Sequence, residues 1–342
     1  MDPSTPSSAE IDRSVLESLD SARLRLIVLP TEQCNFRCSY CYEDFALGHM
    51  PPALVGALKL FIERRIEDLR ILQIDWFGGE PLLAQPVIED VSSFAQGLCE
   101  IGGVRFRSAA TTNGSLLTPE RLTRLIHCGV NDFQISLDGF GAQHDRTRIA
   151  MNGAGTFERI WANLLAARDS ALAFTVSLRV HMHPDNASAL PALVEAIRAE
   201  FGGDRRFSVF FKGVGRYGGP GDATLRVFTS QEARAVKKQL ETLLGDSFTG
   251  RSLTPSPSYV CYAAQANSLV VRSNGRLAKC TVALADERND VGSLNPDGTV
   301  TVDPEHLQTW LFGIETRNPA DLACPYSRLK EDKGLIQLRP SN

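Results

Sequence analysis

The stretch CNFRCSYC, residues Cys34 to Cys41, places three cysteines within eight residues near the start of the chain. It follows LRLIVLP (24–30), an apolar run that predicts a β-strand, so the cysteines are expected on a loop at a strand end. Polar and aromatic neighbours disfavour three buried apolar cysteines. A structural zinc site needs a fourth ligand, and the next candidate, His49, lacks the usual spacing. An iron–sulfur cluster held by three thiolates, with one iron open to a small molecule, fits better than either alternative.

The composition is that of a globular protein in a reducing compartment. The chain has 342 residues, of which 43% are hydrophobic and 22% charged, and it contains 8 cysteines. A net charge of -4 predicts no general affinity for nucleic acid or an anionic membrane. The apolar runs are too short to span a bilayer, and MDPSTPSSAEIDRS has no signal-peptide core. We therefore expect a cytoplasmic protein whose clustered cysteines are ligands rather than disulfide partners.

Six short apolar strands alternate with longer amphipathic segments. The predicted strands are LRLIVLP (24–30), LQIDWF (72–77), VRFRSAAT (104–111), NDFQISLDG (131–139), AFTVSLRVHM (173–182) and RFSVFFKGV (206–214). Strict alternation predicts an α/β fold with a parallel sheet and right-handed crossovers. Six units favour a partial (β/α)6 TIM-like barrel, although an open doubly wound sheet has the same local pattern. The polar and glycine-rich turns fall at the strand C-termini, where α/β folds bind ligands.

Helix starts are marked by capping residues. Thr118-Pro119 predicts one helix, and Thr229 with Glu232 resembles a capping box before another, ending near Leu244. Three more helices are expected from about Val87 to Cys99, near Phe157–Arg168 and near Asn186–Phe201.

The sequence changes character after about Gly250. SLVVRSNGRLAKCTVAL (268–284) predicts a hairpin with Asn274-Gly275 as a two-residue turn. Cys261 precedes it, Cys280 ends it and Cys324 follows in LACPYS. We expect residues 1–22 to be a disordered or short helical segment, residues 23–248 the barrel, and residues 249–342 a smaller C-terminal unit.

With these motifs in order, the chain resembles the radical S-adenosylmethionine (SAM) enzymes. CNFRCSYC, with Tyr40 before its last cysteine, resembles their CxxxCxxC loop. Gly78-Gly79-Glu80-Pro81 resembles the GGEP turn after the second strand, and Thr112-Asn113-Gly114 resembles the turn after the third. Ser136-Leu137-Asp138-Gly139 resembles the turn after the fourth, and His144, Asp145 and Arg148 follow it at the usual distance.

The resemblance implies a cofactor set and residue roles. Cys34, Cys38 and Cys41 would hold a 4Fe-4S cluster whose open iron binds SAM. Glu80 would bind the SAM ammonium, while Ser136 and Arg148 would face its carboxylate or ribose. The remaining residues implied at the cofactor are Tyr40, Gly78, Gly79, Pro81, Asn113 and Asp138. One-electron cleavage of SAM, fed by an external flavodoxin- or ferredoxin-type donor, would yield a 5′-deoxyadenosyl radical that abstracts hydrogen from an unactivated carbon.

The pattern Cys261-x13-Gly275-x4-Cys280 resembles the opening of the SPASM/twitch extension of this superfamily. It implies one auxiliary iron–sulfur cluster, of the 4Fe-4S type, on Cys261, Cys280 and Cys324. Full SPASM domains carry more cysteines downstream, so a second auxiliary cluster is not expected and the fourth ligand is not a cysteine. Structural burial and a zinc knuckle stay open for these three residues. Cys99 and Cys128 fall in helical segments and are interpreted as buried hydrophobes.

SPASM and twitch enzymes mostly modify peptides or proteins. The leading hypothesis is therefore a maturase that installs an intramolecular cross-link (cyclophane or other C–C, C–O or thioether) in a ribosomally made precursor peptide. Lys212, Arg216 and Tyr217 lie after the sixth strand, where they would meet a peptide or form only a surface loop. About 22 residues before the first strand leave no room for a leader-recognition domain, so a separate leader-recognition protein is expected if the peptide does not dock on the barrel.

Three other functions are considered. An anaerobic sulfatase-maturase-like oxidase shares the SLDG region but normally carries the full cysteine set. A molybdopterin-pathway cyclase is disfavoured because the chain ends RPSN rather than Gly-Gly. An iron–sulfur electron-transfer or redox-sensing protein would not need the GGEP and SLDG turns.

Overall fold

The structure is a computed structural model that describes residues 6–248 and 258–336. Its central feature is a run of six parallel strands, β1 to β6, that lie side by side in chain order. They are β1 Arg23–Val28, β2 Ile71–Trp76, β3 Arg105–Thr112, β4 Val130–Leu137, β5 Thr175–Met182 and β6 Phe207–Gly213. The predicted parallel α/β sheet is confirmed. The strand order runs in one direction without the reversal of a doubly wound sheet. The barrel is not closed, because β6 and the strand Val300–Val302 remain the two edges of the sheet.

Eleven α-helices lie in the described ranges. They are α1 Ser8–Ser18, α2 Pro52–Ile66, α3 Gln85–Gly102, α4 Pro119–His127, α5 Ala142–Asp145, α6 Phe157–Asp169, α7 Leu190–Phe201, α8 Ser230–Leu244, α9 Pro304–Thr316, α10 Pro319–Ala323 and α11 Pro325–Ile336. None of them is long and apolar enough to cross a bilayer.

The predicted helix starts at Thr118 and Thr229 are confirmed. The Thr118 hydroxyl accepts a hydrogen bond from the backbone of Arg121, and Thr229 with Glu232 forms the full capping box. The helix predicted from Asn186 is shorter. A single 3₁₀ turn, Ala187–Ala189, comes first, and α7 begins only at Leu190 because Pro191 is favoured in a first helical turn.

The two faces of the parallel sheet differ sharply in burial. On β2, Leu72, Ile74 and Trp76 are fully buried towards the helices, whereas the alternating Gln73 and Asp75 are only half-buried. A closed TIM barrel normally fills its interior with branched apolar side chains. The half-buried polar face, called the inner wall below, is instead open to a ligand.

The C-terminal strands continue the same sheet beyond β1. Strand β7 (Ser268–Val271) pairs parallel with β1, and β8 (Arg276–Ala278), β9 (Gly292–Leu294) and β10 (Val300–Val302) follow antiparallel. The predicted domain boundary at 248/249 meets residues outside the described ranges, as do residues 1–5 and the RPSN terminus.

The predicted two-residue turn at Asn274-Gly275 is wrong. Strand β7 ends at Val271, and the Gly275 N–H donates to the Arg272 carbonyl at 2.9 Å. Residues 272–275 thus form a four-residue turn that ends in Gly275 at φ +86°. A turn that ends in a left-handed glycine is a common hairpin connection of three to four residues. Compared with the predicted two-residue turn, the bend therefore lies one residue closer to β7.

Candidate active site

The cysteine loop, residues 34–41, leaves the C-terminal end of β1 and runs beside residues 147–151. The N–H of Arg37 donates to the Ile149 carbonyl at 2.8 Å, and the N–H of Ser39 donates to the Thr147 carbonyl at 2.9 Å. These bonds satisfy backbone N–H groups of the loop and fix its position along residues 147–151. It places the three cysteines beside the segment that carries Arg148.

The glycines of the GGEP turn make a close approach to the chain leading into the cysteine loop. A Cβ on Gly78, which has φ +112°, would lie 2.2 Å from the Thr31 carbonyl oxygen, and one on Gly79 would lie 2.5 Å from that of Gln33. Resemblance suggested that these glycines admit a ligand. The contact in the structure is with the protein's own backbone, which requires glycine at both positions.

Glu80 joins the second and third motif turns. Its carboxylate accepts hydrogen bonds from the Thr112 hydroxyl at 2.7 Å and the Asn113 N–H at 2.7 Å, as well as from Leu82. The side chain is fully buried. Burial raises the pKa of Glu80, and the hydrogen bonds oppose that rise. Pro81 begins the short helical turn that follows.

Asn113 connects the third turn to the cysteine loop. Its amide nitrogen donates to the side-chain oxygen of Asn35 at 2.8 Å, and its own oxygen accepts from Ser115. The loop is therefore bonded to the turns after β2 and β3 as well as to the segment after β4.

Tyr40 is the centre of a buried polar network. Its hydroxyl donates to Asp138 Oδ1 at 3.0 Å and lies 2.9 Å from Nδ1 of His181, and Arg148 donates to it at 3.0 Å. Thr147 donates to the second oxygen of Asp138 at 2.7 Å. The turn after β4, which carries Asp138, is thus hydrogen-bonded to the cysteine loop through Tyr40.

The network has a defined charge at neutral pH. Burial opposes ionisation of Asp138, but the hydrogen bond from His181 and the charge of Arg148 leave its pKa below the usual range. Burial, followed by the charge of Arg179, lowers the pKa of His181 to about 4. Asp138 is accordingly anionic and His181 neutral, with an N–H at Nδ1 facing the carboxylate.

Arg148 lies beside Tyr40 in the same network. It is 6% exposed, one terminal nitrogen is bonded to Tyr40, and its buried Nε has no partner in the described ranges. His144 is fully buried, its Nδ1 accepts from the Asp138 N–H, and burial lowers its pKa to about 4. Arg148 therefore contributes a hydrogen bond to the hydroxyl of Tyr40, and His144 contributes one to the backbone of Asp138.

Two functional candidates on β5, Arg179 and His181, were not found from the sequence. They alternate with the buried Leu178 and Val180. This alternation in SLRVHM is the sequence pattern that could have placed Arg179 and His181 on the opposite face of the strand from the core. Nε of Arg179 donates to the hydroxyl of Ser136 at 2.9 Å, across the β4–β5 register.

The thiols of Cys34, Cys38 and Cys41 are unpaired and half-buried. Burial raises the pKa of Cys34 and of Cys41 to about 12. Within residues 6–248 and 258–336, no three His, Cys, Asp or Glu side chains meet as a site for a single metal ion. Cluster ligands each bind a different iron and stand farther apart than ligands of one ion. Three soft thiols on one loop are suited to hold an iron–sulfur cluster.

The three C-terminal cysteines lie on segments that meet. The N–H of Cys261 donates to the Leu322 carbonyl at 2.8 Å, which brings the Cys324 segment alongside. The Tyr262 hydroxyl accepts from the Thr281 N–H at 3.0 Å, next to Cys280. Cys280 is buried and Cys324 is exposed. Away from both groups, Cys99 and Cys128 are buried as expected.

The loop after β6 packs on the cysteine loop. A Cβ on Gly219 would lie 2.2 Å from the Cys41 carbonyl oxygen, and the Tyr217 ring meets the Tyr42 ring edge-on at 5.9 Å. Arg216 is occupied by the Leu225 carbonyl at 2.7 Å, whereas Lys212 is exposed. Of the three residues expected near a peptide, Lys212 is therefore the most available.

Comparison with known proteins agrees with this geometry. The Radical SAM superfamily profile matches residues 28–197. A GTP 3′,8-cyclase of Stenotrophomonas maltophilia (strain R551-3) is 31% identical over 182 residues, 53% of this chain and 52% of that protein. The chain thus spans about half the length of the curated relatives it matches.

Solved structures resemble a larger part of the chain. Native anSMEcpe with bound AdoMet and Kp18Cys peptide has a TM-score of 0.64 at 17% identity, covering 84% of this chain and 80% of that one. Streptococcus suis SuiB bound to precursor peptide SuiA has a TM-score of 0.56 at 14% identity, covering 89% and 69%. These likenesses extend the shared fold beyond residues 28–197, the part of the chain that matches the Radical SAM superfamily profile.

Proposed function

We propose that this chain is a radical SAM enzyme whose catalytic cluster is held by Cys34, Cys38 and Cys41. The observation that carries the proposal is that all three later motif turns hydrogen-bond to the cysteine loop or the residues just before it: Glu80 through the Gln33 carbonyl, Asn113 through Asn35, and Asp138 through Tyr40. A simple metal-binding loop needs none of these turns. A site that must hold a cluster and a second ligand in fixed relation needs all of them.

The chain's own residues orient and shield that site. When bound, the cluster and SAM would supply a 5′-deoxyadenosyl radical. Tyr40 and Asp138 hold the loop in place, Arg148 braces Tyr40, and Ser136 at the end of β4 faces the inner wall beside Arg179. The ammonium and carboxylate of SAM are assigned to Glu80 and Ser136 as proposals.

We further propose that the substrate is a ribosomally made precursor peptide and that the product is an intramolecular cross-link. Two observations support this. The fold likeness to anSMEcpe and SuiB covers more than four-fifths of the chain, and their structures contain peptides. The chain also carries a second group of three cysteines, Cys261, Cys280 and Cys324, on converging segments. An auxiliary cluster there would accept the electron that cross-link formation leaves over.

A second candidate is cyclisation of GTP. It is favoured by the 31% identity to a GTP 3′,8-cyclase, but that similarity covers only about half of each protein. The solved structures that contain peptides match more of the chain, although at much lower identity.

One experiment separates the two candidates. Anaerobically reconstituted protein is incubated with SAM, dithionite and either GTP or synthetic peptides from short reading frames beside its gene. We expect a peptide product lighter by two hydrogens and unchanged GTP. Cyclised GTP without any modified peptide would replace the peptide proposal with the cyclase.

A further inference from the structure

Lys279 is a fully buried lysine that directly precedes Cys280. Its ammonium donates hydrogen bonds to the carbonyl of Gln265 at 2.6 Å and to that of Ser268 at 2.6 Å. Within residues 6–248 and 258–336, no carboxylate forms an ion pair with Lys279. Burying an ammonium costs free energy unless an opposite charge compensates it, and carbonyl dipoles carry no net charge. The position of Lys279 therefore favours an anion nearby.

The hydrogen bonds of Lys279 join the segments of two cysteines. Its partner Gln265 belongs to the short turn that follows Cys261, and the Gln265 N–H donates to the Tyr262 carbonyl at 3.1 Å. The ammonium is therefore attached to the segment of Cys261, while its own backbone continues directly into Cys280.

The backbone around Cys280 is held by the buried Asn289. The side-chain oxygen of Asn289 accepts from the N–H of Lys279 at 3.0 Å and from that of Cys280 at 2.9 Å. Its nitrogen donates to the carbonyls of Cys280 at 2.8 Å and Ala283 at 3.0 Å. The amide thus uses both acceptor positions and both donors on residues 279–283. This gives the Lys279 side chain and the Cys280 thiol a fixed backbone.

A cluster on Cys261, Cys280 and Cys324 would supply the anion that the lysine lacks. Burial disfavours the ammonium and lowers the pKa of Lys279, and the negative charge of Cys261 acts in the opposite direction. An iron–sulfur cluster held by thiolates carries a net negative charge that increases on reduction. A buried cation beside it stabilises the reduced form more than the oxidised form.

We propose that Lys279 is a positioning residue for an auxiliary iron–sulfur cluster on the three C-terminal cysteines. Its hydrogen bonds hold the segments of Cys261 and Cys280 together, and its charge makes the cluster easier to reduce by one electron. This rests on the auxiliary cluster of the proposed function. There, one hydrogen atom of the peptide goes to the 5′-deoxyadenosyl radical, and the second leaves as a proton while its electron enters the cluster.

The test uses as its reference the full chain with Cys34, Cys38 and Cys41 replaced by alanine. After anaerobic reconstitution, every cluster signal in that protein belongs to the C-terminal cysteines. Lys279→Met removes the charge and both hydrogen bonds, Lys279→Gln removes the charge but keeps an N–H donor, and Lys279→Arg keeps the charge. Lys238→Met is the matched control, because Lys238 is an exposed lysine on α8.

Three properties of each protein are measured. Circular dichroism and urea denaturation report folding, iron analysis reports cluster content, and a dithionite titration followed by electron paramagnetic resonance gives the midpoint potential. We expect Lys279→Met to lose iron, because the two cysteine segments are no longer held together. Clusters that form in Lys279→Met and Lys279→Gln should have a more negative potential than the reference. Lys279→Arg should keep the reference potential, and Lys238→Met should match the reference throughout.

Unchanged iron content and potential in both uncharged variants would overturn the proposal, even if their unfolding free energy fell, because a purely structural lysine has that effect alone. If Lys279→Met does not fold, Lys279→Gln gives the answer. A reference protein that takes up no iron would refute the auxiliary cluster itself, and this role of Lys279 with it. SAM cleavage by the parent is measured separately and reports only on the cluster of Cys34, Cys38 and Cys41.

Discussion

The hydroxyl of Tyr40 donates to the carboxylate of Asp138 at 3.0 Å across 98 positions of sequence. This bond joins the loop after β1 to the turn after β4, and Arg148 and His181 meet at the same hydroxyl. Tyr40→Phe should therefore loosen the cysteine loop. Leaving the buried Asp138 and Arg148 without this partner should cost about 1–3 kcal/mol in the free energy of unfolding.

Urea denaturation measures that cost, and iron content after reconstitution should fall with it. Tyr326→Phe is the control, since Tyr326 stacks its ring on Trp310 in the C-terminal unit and lies outside the Asp138 network. Equal stability of Tyr40→Phe and the parent would show that the bond does not anchor the loop.

Gly79→Ala should destabilise the protein by several kcal/mol. An added Cβ would lie 2.5 Å from the Gln33 carbonyl oxygen, so the GGEP turn and the chain before Cys34 must move apart. Gly97→Ala is the matched control. Gly97 lies within α3, nothing lies within 4 Å of its added Cβ, and helix propensity predicts stabilisation by about 0.5–1 kcal/mol.

Thermal unfolding of the two variants gives the comparison. Opposite shifts of the melting temperature are expected. A Gly79→Ala protein that melts with or above the parent would refute the close approach.

Acid should destabilise the folded protein through His144. Its pKa is lowered from 6.5 to about 4 in the folded state, so below pH 6.5 the unfolded chain takes up a proton that the folded chain refuses. The stability that neutral His144 contributes is thus complete above pH 6.5 and lost progressively as pH falls towards 4. His144→Gln should flatten the dependence of unfolding free energy on pH in that window. An unchanged slope would mean that His144 does not titrate as its burial requires.

Much of this architecture could be anticipated from residue patterns, because each feature has a local cause. Alternating strands and capped helices specify the parallel sheet, and Thr229 with Glu232 marks a helix start that the structure confirms. Turn residues at strand ends predict a shared edge, since parallel strands end together.

Other features depend on tertiary contacts that no local pattern specifies. Spacing alone could not predict the hydrogen bond from Arg148 to Tyr40, which joins residues 108 positions apart. The role of Gly79 depends on which backbone lies opposite. The pairing of β7 with β1 joins residues more than two hundred positions apart, and only the assembled sheet shows it.

The C-terminal cysteines provide a separate prediction about metal content. Replacing Cys261, Cys280 and Cys324 together by alanine should remove about four irons per chain and leave SAM cleavage intact. Replacing Cys99 and Cys128, which are buried in the barrel, controls for loss of thiols in general. Iron analysis measures the loss of the auxiliary cluster, and a 5′-deoxyadenosine assay measures SAM cleavage. An undiminished iron count would exclude an auxiliary cluster on these residues.

Cys34, Cys38 and Cys41 are proposed to hold the cluster that cleaves SAM. The direct measurement is 5′-deoxyadenosine formed from SAM and dithionite by reconstituted parent protein and by the variant with all three cysteines replaced by alanine. We expect 5′-deoxyadenosine and methionine from the parent and none from the variant, whose C-terminal cysteines should still retain about four irons. Undiminished SAM cleavage by the triple variant, or none by a fully loaded parent, would contradict it.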